Sequence, residues 1–295
     1  MSALKLNADR ASEIGSLLTR IGLDGALKIE EFDPQFQAIK LLTGKMNLGP
    51  ALTLVVLNSL VSYKLSGRGE DYWSEFAIYM SRMGEPKSLK EAIKFMVGFL
   101  SSSKTNMVKR GEKIARLLKL LANESLEPWN IARHARSPRN MAKIIASNLR
   151  TSWTSKTIVF AVKMFYYAYR AYTGKELVMP FNVPIPIDSR VAKISWTSGI
   201  LDVMDINSLS WGNIVRVIMS KPRVAQRAWN MVAKASRIPP LHLDSIVWIV
   251  GGFVGRSYTR DEAIKLASNT LSRMALKSGN EVFEVVSRLI TRYLP

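Results

Sequence analysis

Three observations predict an all-α protein, a compact bundle of two helical lobes. Apolar residues recur at spacings of three and four along most of the chain. No stretch alternates apolar and polar residues in a sustained way, and the one long segment hostile to helix is PFNVPIPID at 180–188. Near the N-terminus, ASEIGSLLTRIGLDGALKIEEF carries the helical period with an interruption at Gly25. Asp33-Pro34 follows as a cap and a first-position proline opening QFQAIKLL. Further helices are expected over 50–65, 71–82, 88–100, 106–122, 128–135, 138–148, 156–173, 189–200, 211–219, 222–236, 240–253, 260–275 and 280–293. Between them, the three prolines of 180–188 fix φ and remove amide donors, so that stretch is extended.

Composition excludes several classes of chemistry. With 295 residues and 47% hydrophobic content the chain can bury a substantial core. No apolar run reaches the roughly 18–20 residues of a membrane span. ALTLVVLNSLVSYKL is broken by Asn58, Ser59 and Ser62, and SIVWIVGGFVG by a glycine pair. The opening MSALKLNADRASEIG has an early aspartate and no signal-peptide core, so a cytoplasmic location is expected. The absence of cysteine and the presence of only two histidines remove iron–sulfur clusters, structural zinc, disulfides and thiol nucleophiles. Chemistry, if any, falls to Lys, Asp, Glu, Ser or Tyr.

Charge points to a polyanion. The net charge is +19, and its distribution is uneven: +1 over residues 1–100, +11 over 101–180 and +7 over 181–295. Between Glu127 and Glu176 no acidic residue occurs, while Arg133, Arg136, Arg139, Lys143, Arg150, Lys156, Lys163, Arg170 and Lys175 do. Nucleic acid is the expected partner, ahead of an acidic membrane surface or protein.

Within that block, Lys156 heads the apolar segment TIVFAVKM behind a Trp-Thr-Ser turn. A lysine is nucleophilic only when neutral, and a helix N-terminus, cationic neighbours and an apolar helix body all favour the neutral form. Lys163, on the same helical face, lacks the first of these. A nucleophilic lysine needs a carboxylate to move protons. Asp188 is the candidate, at the end of the rigid PIPI segment and the start of SRVAKISW, where it also reads as a plain N-cap.

DPQFQAI, LNSLVSYKLSGRGEDYW, SKTIVFAVKM with its following aromatics, PFNVPIPIDSRVA and IPPLHLDSIVWIVG together resemble the archaeal 8-oxoguanine DNA glycosylase/lyase family of the helix-hairpin-helix superfamily. The likeness runs from near the N-terminus to about residue 252. It implies two helical lobes with a central cleft and no iron–sulfur cluster, and a bifunctional enzyme that flips out and excises 8-oxoguanine. In that family the hairpin lysine attacks the sugar, forms a Schiff base and permits β-elimination. Matching positions make Lys156 the nucleophile and Asp188 its partner. They also assign Gln35, Trp73, Asp244 and Trp248 to the base pocket, with Phe160, one turn beyond Lys156, as a further lining residue. An enzyme acting at C1′ takes its nucleotide out of the stack, so aromatic faces replacing lost stacking are what the chemistry asks for. The group that accepts from the N7–H of 8-oxoguanine stays open between a carbonyl and the Gln35 amide oxygen.

The likeness has departures. The turn RTSWTS lacks the Gly-x-Gly of many such hairpins, so Arg150 with the hydroxyls of Thr151, Ser152, Thr154 and Ser155 is expected at the DNA backbone, as is Arg190. Residues beyond about 253 have no counterpart and are expected to pack on a lobe or to extend the DNA track. Expected lobes are 67–180, carrying the hairpin and Lys156, and 1–66 with 181–295, carrying Asp188 and much of the pocket. Phe165, Tyr166, Tyr167, Tyr169 and Tyr172 are expected mostly in the core. The resemblance implies a monomer acting on single- or double-stranded DNA in a prokaryotic cytoplasm, associated with the nucleoid, with no membrane, metal or organic cofactor. A non-catalytic helical DNA-binding protein and a basic RNA-associated or partner-docking module are the other classes that charge alone allows.

Overall fold

A computed structural model describes residues 3–204 and 209–294, and the chain divides into two compact units. One comprises 33–179; the other joins 1–32 to 180–295. The N-terminal part of the discontinuous unit is β1 (Ala3–Leu6), α1 (Ala8–Leu18) and α2 (Gly22–Glu31). Asn7 caps α1 through its side-chain oxygen, which accepts from the Arg10 amide.

The 33–179 unit holds α3 (Pro34–Thr43), α4 (Leu48–Val61), α5 (Gly69–Met83), α6 (Leu89–Ser102), α7 (Arg110–Leu118), α8 (Pro138–Asn148) and α9 (Lys156–Thr173). Its centre is the pair α4 and α9. Every residue of α4 from Ala51 to Val61 is buried, which is why that helix is apolar all round. On α9, Phe165, Tyr166 and Tyr167 lie in the core as expected, while Tyr172 is exposed. Helices α3 and α4 both pack on α9, and α3 also packs on α5. The division of the chain therefore falls between Phe32 and Asp33, not near residue 66. A local reading cannot see which helix faces fit together.

Two expected helices change most. The 106–122 prediction contracts to α7, because the chain before it is pinned elsewhere. Glu75 accepts from the hydroxyls of Ser103 and Thr105 and from the Lys104 amide, while Ser66 and Gly67 both donate to the Thr105 carbonyl. The 128–135 prediction becomes a 3-10 turn at Ile131–Arg136, with a separate turn at Glu124–Leu126.

The discontinuous unit continues with α10 (Ser189–Thr197), β2 (Leu201–Met204), α11 (Trp211–Ser220), α12 (Pro222–Ser236), α13 (Pro240–Gly251), α14 (Arg260–Ala275) and α15 (Gly279–Leu289). β1 pairs antiparallel with β2, Ala3 opposite Met204 and Leu6 opposite Leu201. This ladder corrects the expectation of no strand; four residues are too few to display a period of two. α1 lies along α12 so closely that a Cβ on Gly15 would stand 2.5 Å from the Ala235 Cβ. The residues beyond 253 form α14 and α15, which pack on each other, with α14 on α2 and α13 and α15 on α1. Their apolar faces, including Ala263, Leu271, Val282 and Leu289, join one core with Ile14, Val191, Trp229 and Ile246. No helix among the described residues is long and apolar enough to cross a membrane.

Lys113, on α7, is fully buried, donates to the Asn106 side-chain oxygen and stands 5.0 Å from the centre of the Tyr63 ring. Burial, aided by Arg110, pulls its ammonium from the ordinary 10.5 down to about 8. The folded chain thus sheds this proton at a pH where the unfolded chain still holds it. Unfolding free energy should rise as pH climbs from about 8 towards 10.5. Urea titrations across that range check it: Lys113→Met should flatten the rise.

Candidate active site

The hairpin that carries Lys156 is built from α8, a seven-residue turn and α9. Arg150 adopts φ 49°, in the left-handed region, and the Thr151 amide donates back to the Ala146 carbonyl. An arginine thus occupies the left-handed helix-ending position that usually falls to glycine. The turn is held from within: Ser152 Oγ and Thr154 Oγ1 lie 3.0 Å apart, and the Ser155 amide donates to the Ser152 carbonyl. The Arg139 guanidinium sits 4.9 Å from the centre of the Trp153 ring, tying the tip to the start of α8.

Lys156 is the first residue of α9 and is exposed, whereas Ile158, Val159, Ala161 and Val162 are buried. The expectation of a dry amine is corrected accordingly: the apolar body of the helix is interior, but its head reaches the surface. Beside it, Arg116 on α7 donates to Thr157 Oγ1 at 3.0 Å. Arg150 and Ser152 are exposed, while the Ser155 hydroxyl is buried with no hydrogen-bond partner among the described residues and does not face outward.

The other expected residues of the 33–179 unit are held by the same helices. Trp73 on α5 is 1% exposed, and its ring meets that of Phe160, one turn after Lys156, edge-on at 6.2 Å. Gln35 is half-buried in the first turn of α3, and its backbone N–H donates to Asp33 Oδ1 at 2.9 Å. Asp33 Oδ2 accepts from the Tyr167 hydroxyl at 3.1 Å, which anchors the start of α3 to α9. Lys163 is buried, with its ammonium 5.3 Å from the centre of the Tyr167 ring. Its burial has a sequence signal, since it lies seven residues after Lys156 in an apolar helix.

The discontinuous unit holds the remaining residues. Asp188 caps α10, its Oδ1 accepting from the Val191 amide at 2.9 Å. The chain before it is extended and fixed, with Val183, Ile185 and Ile187 in the core. On α13, Asp244 is buried and Trp248 half-buried. Arg190, expected at the DNA backbone, has its guanidinium 3.6 Å from the centre of the Trp248 indole. Nearby, Lys193 donates to the Val254 carbonyl at 2.8 Å, and burial with the charges of Arg256 and Arg190 lowers its ammonium pKa. Sequence reasoning missed the fully buried contact of His242 Nδ1 with Glu30 Oε1, 2.8 Å apart, which places α13 on α2. Partners 212 residues apart leave no local pattern.

The sequence matches the model of one family, described as AGOG, N-glycosylase/DNA lyase, over residues 15–284. That match runs past residue 252, where the recognisable likeness stopped, and takes in α14 and part of α15. Among relatives named N-glycosylase/DNA lyase, that of Aeropyrum pernix is 31% identical over 99% of both chains. That of Thermococcus kodakarensis is 34% identical over 83% of this chain and 86% of its own, and that of Pyrobaculum aerophilum 31% over 79% and 83%. A crystal structure of the Pyrobaculum aerophilum 8-oxoguanine DNA glycosylase in complex with 8-oxoguanosine has the same fold. Its TM-score is 0.73 at 24% identity, covering 92% of this chain and 98% of that one.

The left-handed turn at Arg150 gives a direct test. A non-glycine residue there costs roughly 1–2 kcal/mol, of which the greater freedom of glycine in the unfolded chain returns part. Arg150→Gly should therefore stabilise the fold by about 0.5–1 kcal/mol in urea unfolding. The same variant should bind DNA more weakly at low salt, read by fluorescence anisotropy.

Proposed function

From the premise that the chain belongs to the AGOG family of N-glycosylase/DNA lyases, we propose that it excises 8-oxoguanine from DNA with Lys156 as nucleophile and Asp188 as its acid–base partner. The observation that carries this reading is the position of Lys156: the accessible first residue of a helix whose body is buried, in the most basic stretch of the chain. A reactive group on a rigid element with a free approach is what covalent catalysis requires.

The neutral Lys156 amine attacks C1′ of a nucleotide swung out of the stack, and the bond from C1′ to N9 breaks with its electrons passing to the base. The base leaves as an anion and takes a proton from solvent. Asp188, ionised, stabilises the positive charge that grows on the sugar and takes up the proton released from the amine. The C1′–O4′ bond of the sugar then opens, O4′ takes the proton held by Asp188, and an iminium forms between Nζ and C1′. Loss of a C2′ proton then expels the 3′ phosphate by β-elimination, and water releases the enzyme. Because Lys156 is exposed in the free protein, exclusion of water from the reacting atoms must come with the bound DNA. Phe160 and Trp248 would supply aromatic surface to the extruded base, with the buried Trp73 ring edge-on behind Phe160 and with Gln35 and Asp244 as polar partners. Arg150, Ser152 and Thr154 would face the phosphates.

Borohydride trapping on a duplex containing 8-oxoguanine tests the nucleophile: wild type should give a covalent protein–DNA adduct and Lys156→Ala none. If the adduct persists in that variant, another amine does the work. For Asp188 the informative change is to asparagine, which caps a helix as well as aspartate does. Asp188→Asn should keep its fold and its DNA affinity yet lose about a hundredfold or more in single-turnover excision, the scale of a general acid–base group.

A further inference from the structure

Arg190 is bound by more than the indole it covers. Its Nη1 points at the Trp248 carbonyl, 3.5 Å away, near the C-terminal end of α13, where carbonyl dipoles favour a cation. Gly251 clears the space for the turn that carries it, while position 252 lies at ordinary contact distance from the guanidinium. A Cβ on Gly251 would lie 2.8 Å from the Arg190 Cβ and 3.0 Å from its carbonyl oxygen, and one on Gly252 would lie 3.5 Å from Nη1. The first turn of α10 therefore rests on α13 with no room for any other residue at 251, and the guanidinium lies over the indole plane. Asp188 begins that same turn two residues earlier.

We propose that Arg190 is a positioning residue for base excision: by backing one face of Trp248 it fixes the indole for stacking and joins it to the helix that Asp188 caps. The seat belongs to a planar cation. Lysine carries the charge but cannot lie flat on a ring, so it does not substitute here. An arginine held in this way is occupied by protein and contributes little to the phosphate contacts. This inference rests on the reading of Trp248 as a stacking platform for the base.

The test compares two reactions of the full chain, excision of 8-oxoguanine and nicking of a preformed abasic site, which has no base to stack. Arg190→Met and Arg190→Lys should each lower kcat/KM for excision tenfold or more. Nicking of the abasic site should fall several-fold less. The slope of log Kd against log salt should be unchanged in Arg190→Met, since loss of a phosphate contact would reduce it by about one. Equal loss of both reactions in folded variants, recovery by lysine, or a reduced salt slope would each overturn the proposal. Trp248→Ala separates the two levels. If it spares excision, the platform reading itself fails. If it abolishes excision while Arg190→Met does not, only the role of Arg190 falls.

Discussion

A helix that is interior along its body and surface at its first residue is the constraint on which the 33–179 unit depends. α9 supplies Ile158, Val159, Val162, Phe165 and Tyr166 to the core, and α3, α4 and α8 pack on it. A slip of one residue would turn every side chain by about 100° and move it by about 1.5 Å along the axis. No such slip is compatible with eleven buried positions on one helix. The Lys156 amine is thus placed by packing several turns away from it. The cost of this arrangement is confined to the hairpin, where Arg150 takes a backbone conformation that its side chain disfavours.

Carboxylates at helix starts play a matching part. Asp33 and Asp188 each use one oxygen to accept from an amide of the first turn, which fixes the side chain in direction. The second oxygen of Asp33 accepts from Tyr167 and binds α3 to α9. The second oxygen of Asp188 has no hydrogen bond among the described residues. A capping carboxylate needs no separate element to orient it, and the buried, proline-stiffened chain before Asp188 keeps the helix start in place.

Much of this was legible from sequence because it is local. The limits of α9 at Lys156 and Thr173, of α8, of α12 and of α14 follow from caps, prolines and the helical period, and the structure has them at the same residues. The family likeness brought Asp188 and Lys156 forward together, which neither residue could do alone. What could not be read depends on partners far along the chain. That Arg190 faces Trp248, 58 residues on, leaves no trace in either segment, and charge alone suggested a phosphate. The unit to which α3 and α4 belong is decided by their fit to α9, more than a hundred residues later. The state of Lys156 could be read either way for a related reason: an apolar helix announces that it is buried, but not where it emerges.

The discontinuous unit has a consequence for biosynthesis. β1 cannot find β2, nor α1 its bed on α12 and α15, until nearly the whole chain exists. At about 5–20 residues per second, the interval between the emergence of α2 and that of α15 is roughly 13–50 s. During it the contiguous 33–179 segment has all its own helices and can close first. The apolar faces of α1 and α2, with Ile14, Leu18, Ile21 and Ile29, must meanwhile wait unclothed at the ribosome. Aggregation during translation, rather than weakness of the finished fold, is where this topology leaves the nascent polypeptide exposed.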